Sequence, residues 1–179
     1  TLELGGKAAH IIFDDAAINQ AVEGIVNGIF FNQGHVCCAG SRLYVQEGVA
    51  EEVFSKLKKR MKTLIMGDPL DKNTDIGAIN SKMQLDKIKK LTKAGENEGG
   101  VVYQPNCKLP KSGYWYRPTL ISNVSQSNRV VQEEIFGPVL AVQTFRTVDE
   151  VIEKANNSPY GLRAYCRSFF TFYIVAVSC

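Results

Sequence analysis

No stretch of this chain has the run of about 20 apolar residues that a membrane-spanning helix needs, and it contains no C-x-x-C pair, no internal repeat and no low-complexity linker. Histidine is scarce, with His10 and His35 alone. Two histidines and scattered cysteines make no convincing zinc ligand set, so no metal is expected. The five cysteines, Cys37, Cys38, Cys107, Cys166 and Cys179, are odd in number and two are adjacent. That pattern argues against a disulfide framework and fits a reducing, cytoplasmic compartment. Charge of one sign is also lacking: 21 basic residues face 18 acidic ones, for a net charge of +3. The densest basic run, Lys56 to Lys62, lies on an amphipathic segment and reads as a solvated helix face. Neither nucleic acid nor a membrane is therefore expected as a partner. There is no secretory signal and no initiator methionine before Thr1-Leu2-Glu3, as expected of a piece of a longer protein whose targeting segment would lie upstream.

What is present is ordinary globular material. The 179 residues are 45% hydrophobic and 22% charged, enough for one domain with a core. His10–Phe13 reads as a short strand. Ile18, Ala21, Val22, Ile25, Val26, Ile29 and Phe30 then recur at three- and four-residue steps and predict an amphipathic helix, with Asp14 or Asp15 placed to cap it and Gly34 to end it. Arg42–Gln46 alternates as a strand, and Val49, Val53, Leu57 and Met61 form the stripe of a second helix. Ser81 can cap a third helix carrying Leu85, Ile88 and Leu91. "GGVVY", "PTLI" and "GPVLAVQTF" read as strands, and "TVDEVIEKANN" as a helix with Thr147 at its N-cap. Strands alternating with helices predict an α/β domain with a largely parallel sheet flanked by helices. Ser168–Cys179, without charge or turn signal, reads as a buried strand or an aggregation-prone tail.

Three segments could carry chemistry. "FNQGHVCCAGSR" sets Cys37 and Cys38 in a small-residue context that admits close backbone approach to a bound oxygen. Either thiol could be a nucleophile once ionised, or both could be small buried hydrophobes. His35, two residues before Cys37, leaves a Cys–His pair conceivable. "LELGGK" places Glu3 before a glycine pair, but it is no phosphate loop, because Ala8 stands at the Ser/Thr position. "EEIFGP" holds Glu133 and Glu134 beside Phe136. Taken singly, Glu3 reads better as a surface acid, and Glu133 and Glu134 as a solvated pair before an edge strand.

Together the three segments resemble the NAD(P)-dependent aldehyde dehydrogenases. "LELGGK" is similar to the family's glutamate signature, "FNQGHVCCAGSR" to its cysteine signature and "QEEIFGPVL" to its third motif, which contacts the cofactor. The intervals from Glu3 to Cys37 and from Cys37 to Glu134 match as well. The resemblance runs from Thr1 to about Leu162 and includes "GYWYRPTLISNV" and "ANNSPYGL". It implies a partial catalytic domain over 1–162, incomplete at both ends, and a divergent tail over 163–179.

The resemblance assigns the nucleophile to Cys37, which precedes one residue and then Ala-Gly-Ser-Arg, and leaves Cys38 a bystander. It implies thiohemiacetal and thioester intermediates on Cys37, with Glu3 as the base that activates water and a carboxylic acid as product. Glu134 matches the residue that bonds the nicotinamide ribose. Phe136 matches the aromatic near the nicotinamide, and Leu4 a residue whose backbone lies beside the carboxamide. It further implies NAD or NADP as cofactor, a small-molecule aldehyde as substrate and a homo-oligomer in the full-length protein. The cofactor domain and an oxyanion asparagine are expected upstream. Two other readings of the chain are a non-catalytic fragment that binds full-length subunits, and a thiol-reactive redox domain using Cys37 and Cys38.

Overall fold

A computed structural model describes residues 4–168. Among these, a sheet of six strands runs in the order β3-β4-β5-β2-β1-β6. The strands are β1 (Ala9–Ile12), β2 (Arg42–Gln46), β3 (Val101–Tyr103), β4 (Thr119–Ser122), β5 (Val139–Phe145) and β6 (Ala164–Arg167). All neighbours pair in parallel except β3, which runs antiparallel to β4. The helices are α1 (Ile18–Phe30), α2 (Glu47–Met61), α3 (Lys82–Asn97), the single turn α4 (Arg129–Gln132) and α5 (Val148–Asn156). The expected α/β architecture with a largely parallel sheet is the one observed.

Strand alternation sorts the core onto two faces. Ile12, Leu43, Val45, Leu120, Leu140 and Val142 point to one face and are covered by the stripes of α1 and α2. The opposite face has two patches. Ile121, Val139 and Ala141 meet Leu85, Ile88 and Leu91 of α3, while Ile11, Tyr44 and Phe145 meet Val151 and Ala155 of α5. The result is three layers, with the central strands buried on both sides as a parallel sheet requires.

Most caps follow the sequence. Ser81 accepts from the Gln84 N–H at the start of α3, and Thr147 accepts from the Glu150 N–H at the start of α5. The start of α1 does not. Its N-cap is Ala17, which makes no side-chain cap. Asp14 instead exchanges two hydrogen bonds with Gln46 at the end of β2, each 3.0 Å, and Asp15 accepts from the Ser168 hydroxyl at 2.7 Å. Both acids fasten strand ends to one another, so neither turns back to the helix. The basic run of α2 is solvent-facing as read, with Lys56 paired to Glu52 and Arg60 to Glu23. No helix among the described residues is long and apolar enough to cross a membrane. Of the segment Ser168–Cys179, residues 169–179 lie outside the described residues.

His10, in the middle of β1, is 1% exposed, and neither ring nitrogen has a hydrogen-bond partner. Burial, aided by the Arg167 cation, lowers its pKa from 6.5 to about 4. Below pH 6.5 the unfolded chain takes up a proton that the folded one refuses until about pH 4, so stability is lost through that window on acidification. His10→Leu is expected to flatten the pH dependence of the urea midpoint between pH 4 and 6.5. An unchanged slope in the variant would assign the acid sensitivity to other groups.

Candidate active site

The three chemistry-bearing segments each lead directly into a strand of the same parallel run: residues 4–8 into β1, 35–41 into β2 and 133–138 into β5. Because β5, β2 and β1 are adjacent and parallel, the segments gather at one end of the sheet, the amino ends of the strands. Between them lies a cleft of about 610 Å³ lined by Gly5, His35, Val36, Cys37, Gln84, Lys87, Glu134 and Phe136.

The cysteines occupy the two central positions of a β-turn closed by the Ala39 N–H donating to the Val36 carbonyl at 3.0 Å. Cys37 lines the cleft and Cys38 does not. Both are free thiols, half-buried. The turn sits hard against the glycine pair: a Cβ on Gly6 would overlap the Cys37 carbonyl. The Gly6 N–H donates to Glu134 Oε1 at 2.8 Å, which joins the first and third segments directly.

Phe136 has a left-handed backbone, φ 56°. Its carbonyl accepts from Gln84 Nε2 at 2.9 Å and from His35 Nδ1 at 2.9 Å. A carbonyl can only accept, so Nδ1 carries the ring proton and Nε2 is free to accept from the Asn80 N–H at 3.4 Å. The His35 and Phe136 rings stack with centroids 5.2 Å apart and an interplanar angle of 11°. Burial lowers the His35 pKa, against the opposing pull of the Phe136 carbonyl. His35 thus holds the aromatic loop through its neutral form and makes no ion pair with Cys37.

Lys7 is 2% exposed, and its amine has no hydrogen-bond partner. Burial lowers its pKa from 10.5 to about 7, Arg42 adds to the shift, and Glu134 and Glu133 oppose it. Arg42 is buried beside it but well supplied with acceptors. It donates to the Lys7 carbonyl at 2.7 Å and to the Ala155 carbonyl at 2.8 Å, tying the entry of β1 to the carboxyl end of α5.

A family model described as the aldehyde dehydrogenase family matches residues 1–169. The chain belongs to the aldehyde dehydrogenase family. It is 48% identical over 164 residues to retinal dehydrogenase 2 of Taeniopygia guttata, covering 92% of this chain and 32% of that protein. An aldehyde dehydrogenase of Davidiella tassiana is 43% identical, with 92% and 33% covered. Among solved aldehyde dehydrogenases, an NAD-dependent enzyme from Sinorhizobium meliloti superposes with a TM-score of 0.90 at 37% identity, covering 94% of this chain and 34% of that one. Betaine aldehyde dehydrogenase from Staphylococcus aureus in complex with NAD+ gives 0.90 at 38% identity, with 94% and 34% covered. The chain spans about a third of the length of the relatives it matches.

Of the residues singled out from sequence, Cys37, Glu134 and Phe136 share the cleft of this aldehyde dehydrogenase segment. Leu4 is exposed, 77%, beside Gly5. Glu3 lies outside the described residues. Sequence reading missed the Gly6–Glu134 bond, the Gln84 reach and the holding role of His35. The only forward signal was positional, since Ser81 starts α3 and so places Gln84 in its first turn. Gly6→Ala is expected to destabilise the fold by about 1–3 kcal/mol, because the atom in the way is backbone and cannot yield as a flexible side chain would. It should also slow Cys37 alkylation. Thermal melts and thiol-labelling rates check both, and wild-type values for the two would show that the close packing is dispensable.

Proposed function

We propose that the protein oxidises an aldehyde to a carboxylic acid with NAD or NADP, with Cys37 as nucleophile. The observation that carries this reading is the convergence of a free thiol, a carboxylate and an aromatic ring around one cleft: Cys37, Glu134 and Phe136. The residues fit the nicotinamide end of a dinucleotide. Glu134 spends one oxygen on the Gly6 N–H and keeps acceptor capacity for ribose hydroxyls. At Gly5 a Cβ would stand 3.0 Å from Glu134 Oε2, so the bare backbone leaves that carboxylate edge open. The Phe136 ring, held by its stack on His35, offers an apolar wall.

In this reading the Cys37 thiolate attacks the aldehyde carbon and forms a thiohemiacetal, whose oxyanion is met by the Cys37 backbone N–H. A dinucleotide held by Glu134 and Phe136 would supply the hydride acceptor there, so that the thiohemiacetal carbon would pass to a thioester on Cys37. Glu3, proposed from its place in "LELGGK", takes a proton from water as the water attacks the thioester. The carboxylic acid then leaves and the thiol is restored. Glu134 and Phe136 would orient the ring end of a bound cofactor, and His35 and Gln84 hold the Phe136 carbonyl of the left-handed residue. The names of relatives span retinal and betaine aldehyde, and the proposal here is for the aldehyde class as a whole.

An activated phenyl ester tests the thiol without any cofactor, since acylation needs no hydride acceptor. The whole protein is expected to give a burst of phenolate that Cys37→Ala abolishes and Cys38→Ala retains. A burst that survives Cys37→Ala, or alkylation of Cys37 no faster than of Cys107, would overturn the assignment.

A further inference from the structure

We propose that Tyr165 is a positioning residue for the nucleophile, its hydroxyl holding the Cys38 carbonyl so that the turn carrying the Cys37 thiol keeps one orientation. The inference rests on Cys37 being the nucleophile of the proposed reaction. Tyr165 lies on β6, and its hydroxyl donates to the Cys38 carbonyl at 2.9 Å, across 127 residues of sequence. The two meet because β6 pairs in parallel with β1, placing Tyr165 opposite His10. The phenol ring is braced by neighbours: it lies tilted against His10 with centroids 5.3 Å apart, and the Arg163 guanidinium stands 4.6 Å from its centroid. His10 in turn abuts the end of the cysteine turn, since a Cβ on Gly40 would lie 3.3 Å from its Nδ1.

The geometry of the turn explains why this bond bears on Cys37. The ends of the turn are tied, by the Ala39 N–H to the Val36 carbonyl and by the Gly40 N–H to the Gly28 carbonyl, each 3.0 Å. Between those ties the peptide plane that follows Cys37 can still flip, while the one that follows Cys38 is held only at its Ala39 N–H. Contact with Gly6 restrains the first, and the Tyr165 hydroxyl gives the second another tie, at its Cys38 carbonyl. With both planes held, and the Cys37 N–H fixed through the Val36 carbonyl in its own plane, the Cys37 Cβ has one direction relative to the cleft, which is the condition for a reactive thiol to meet a carbonyl carbon in line. Burial pushes the Tyr165 phenol pKa up, the neighbouring Cys38 thiol adds to that push and the Arg163 cation opposes it. The hydroxyl therefore stays protonated, a donor, at neutral pH.

The test uses the whole protein and Tyr165→Phe, which keeps the ring and its stacking and deletes only the donor. Two quantities are read without cofactor. One is the acylation burst from an activated phenyl ester, in which the Cys37 sulfur bonds the acyl carbon and the C–O bond breaks, with its electron pair leaving on the phenolate. The other is the ratio of Cys37 to Cys38 alkylation by iodoacetamide, measured by peptide mass spectrometry. Acylation is expected to slow about tenfold while the half-saturating ester concentration stays within about twofold, and the alkylation ratio is expected to fall. A folded Tyr165→Phe protein with both readouts unchanged overturns the proposal. If circular dichroism shows that Tyr165→Phe does not fold, Arg163→Ala decides. It keeps the hydroxyl and frees the ring, and should move both readouts the same way by about threefold; no change there overturns the proposal. Cys37→Ala, run alongside, separates the two assignments. A surviving burst there overturns both, whereas a lost burst with an unaffected Tyr165→Phe overturns only the role of Tyr165.

Discussion

Parallel pairing of β5, β2 and β1 forces the segments that precede these strands to one end of the sheet, and every contact at the site descends from that constraint. Parallel strands about 4.8 Å apart all start at the same edge, so loops far apart in sequence become neighbours there. Ligands in open parallel sheets usually lie beyond the carboxyl ends of the strands. Here the thiol, the carboxylate and the aromatic ring gather at the amino ends instead. The crowding at that edge selects for small residues. The Gly6 backbone must donate to Glu134 and pass the Cys37 carbonyl with no room for a Cβ. Substitutions at that glycine act on the cysteine turn through the backbone rather than through any lost side chain.

The electrostatics beneath the site follow from the same compactness. Two cations, Arg42 and Lys7, are buried where β1 begins. Arg42 has a fixed fork of donors and finds backbone carbonyls, two of them at the negative end of α5. Lys7 finds none, so burial and the neighbouring guanidinium push it toward its neutral form. The Glu134 and Glu133 carboxylates oppose that shift, which couples the charge state of the buried amine to the acids that line and flank the cleft. The acidic end of the third segment therefore does two things. It offers acceptors to the cleft and it moderates the penalty of a buried amine one residue beyond its hydrogen-bond partner Gly6.

How much of this was legible in the sequence depends on the range of the interaction concerned. Helices α1, α2, α3 and α5 were legible because each buries one face, and a buried face leaves a three- and four-residue rhythm. The caps at Ser81 and Thr147 were legible because the partner lies three residues away. Asp14 and Asp15 looked like caps for the same local reason, but Gln46 and Ser168 compete for them across the sheet, and those partners are invisible in a window of a few residues. Cys37, Glu134 and Phe136 were legible as a set only through the ordered motifs that resemble the aldehyde dehydrogenases. Composition and periodicity alone left each of them a plausible surface or core residue. The Gly6–Glu134 bond and the convergence of His35 and Gln84 on one carbonyl were not legible at all, since they depend on strand order, which the crossover helices set.

The pair of adjacent thiols shows how the fold distinguishes two identical side chains. A β-turn points its two central residues in different directions, so one of two neighbouring cysteines faces the cleft while the other faces the sheet edge at β6. Cys37 lines the cleft with Glu134 and Phe136, and Cys38 lies beside the Tyr165 phenol. The distinction is one of peptide-plane orientation, not of local sequence, and it is fixed by groups from opposite ends of the chain: Gly6 before β1 and Tyr165 on β6. Both strands flank the same turn only because β1 sits between β2 and β6. A stretch of sequence that looked divergent from Arg163 onward thereby supplies the strand that closes the far side of the cysteine turn.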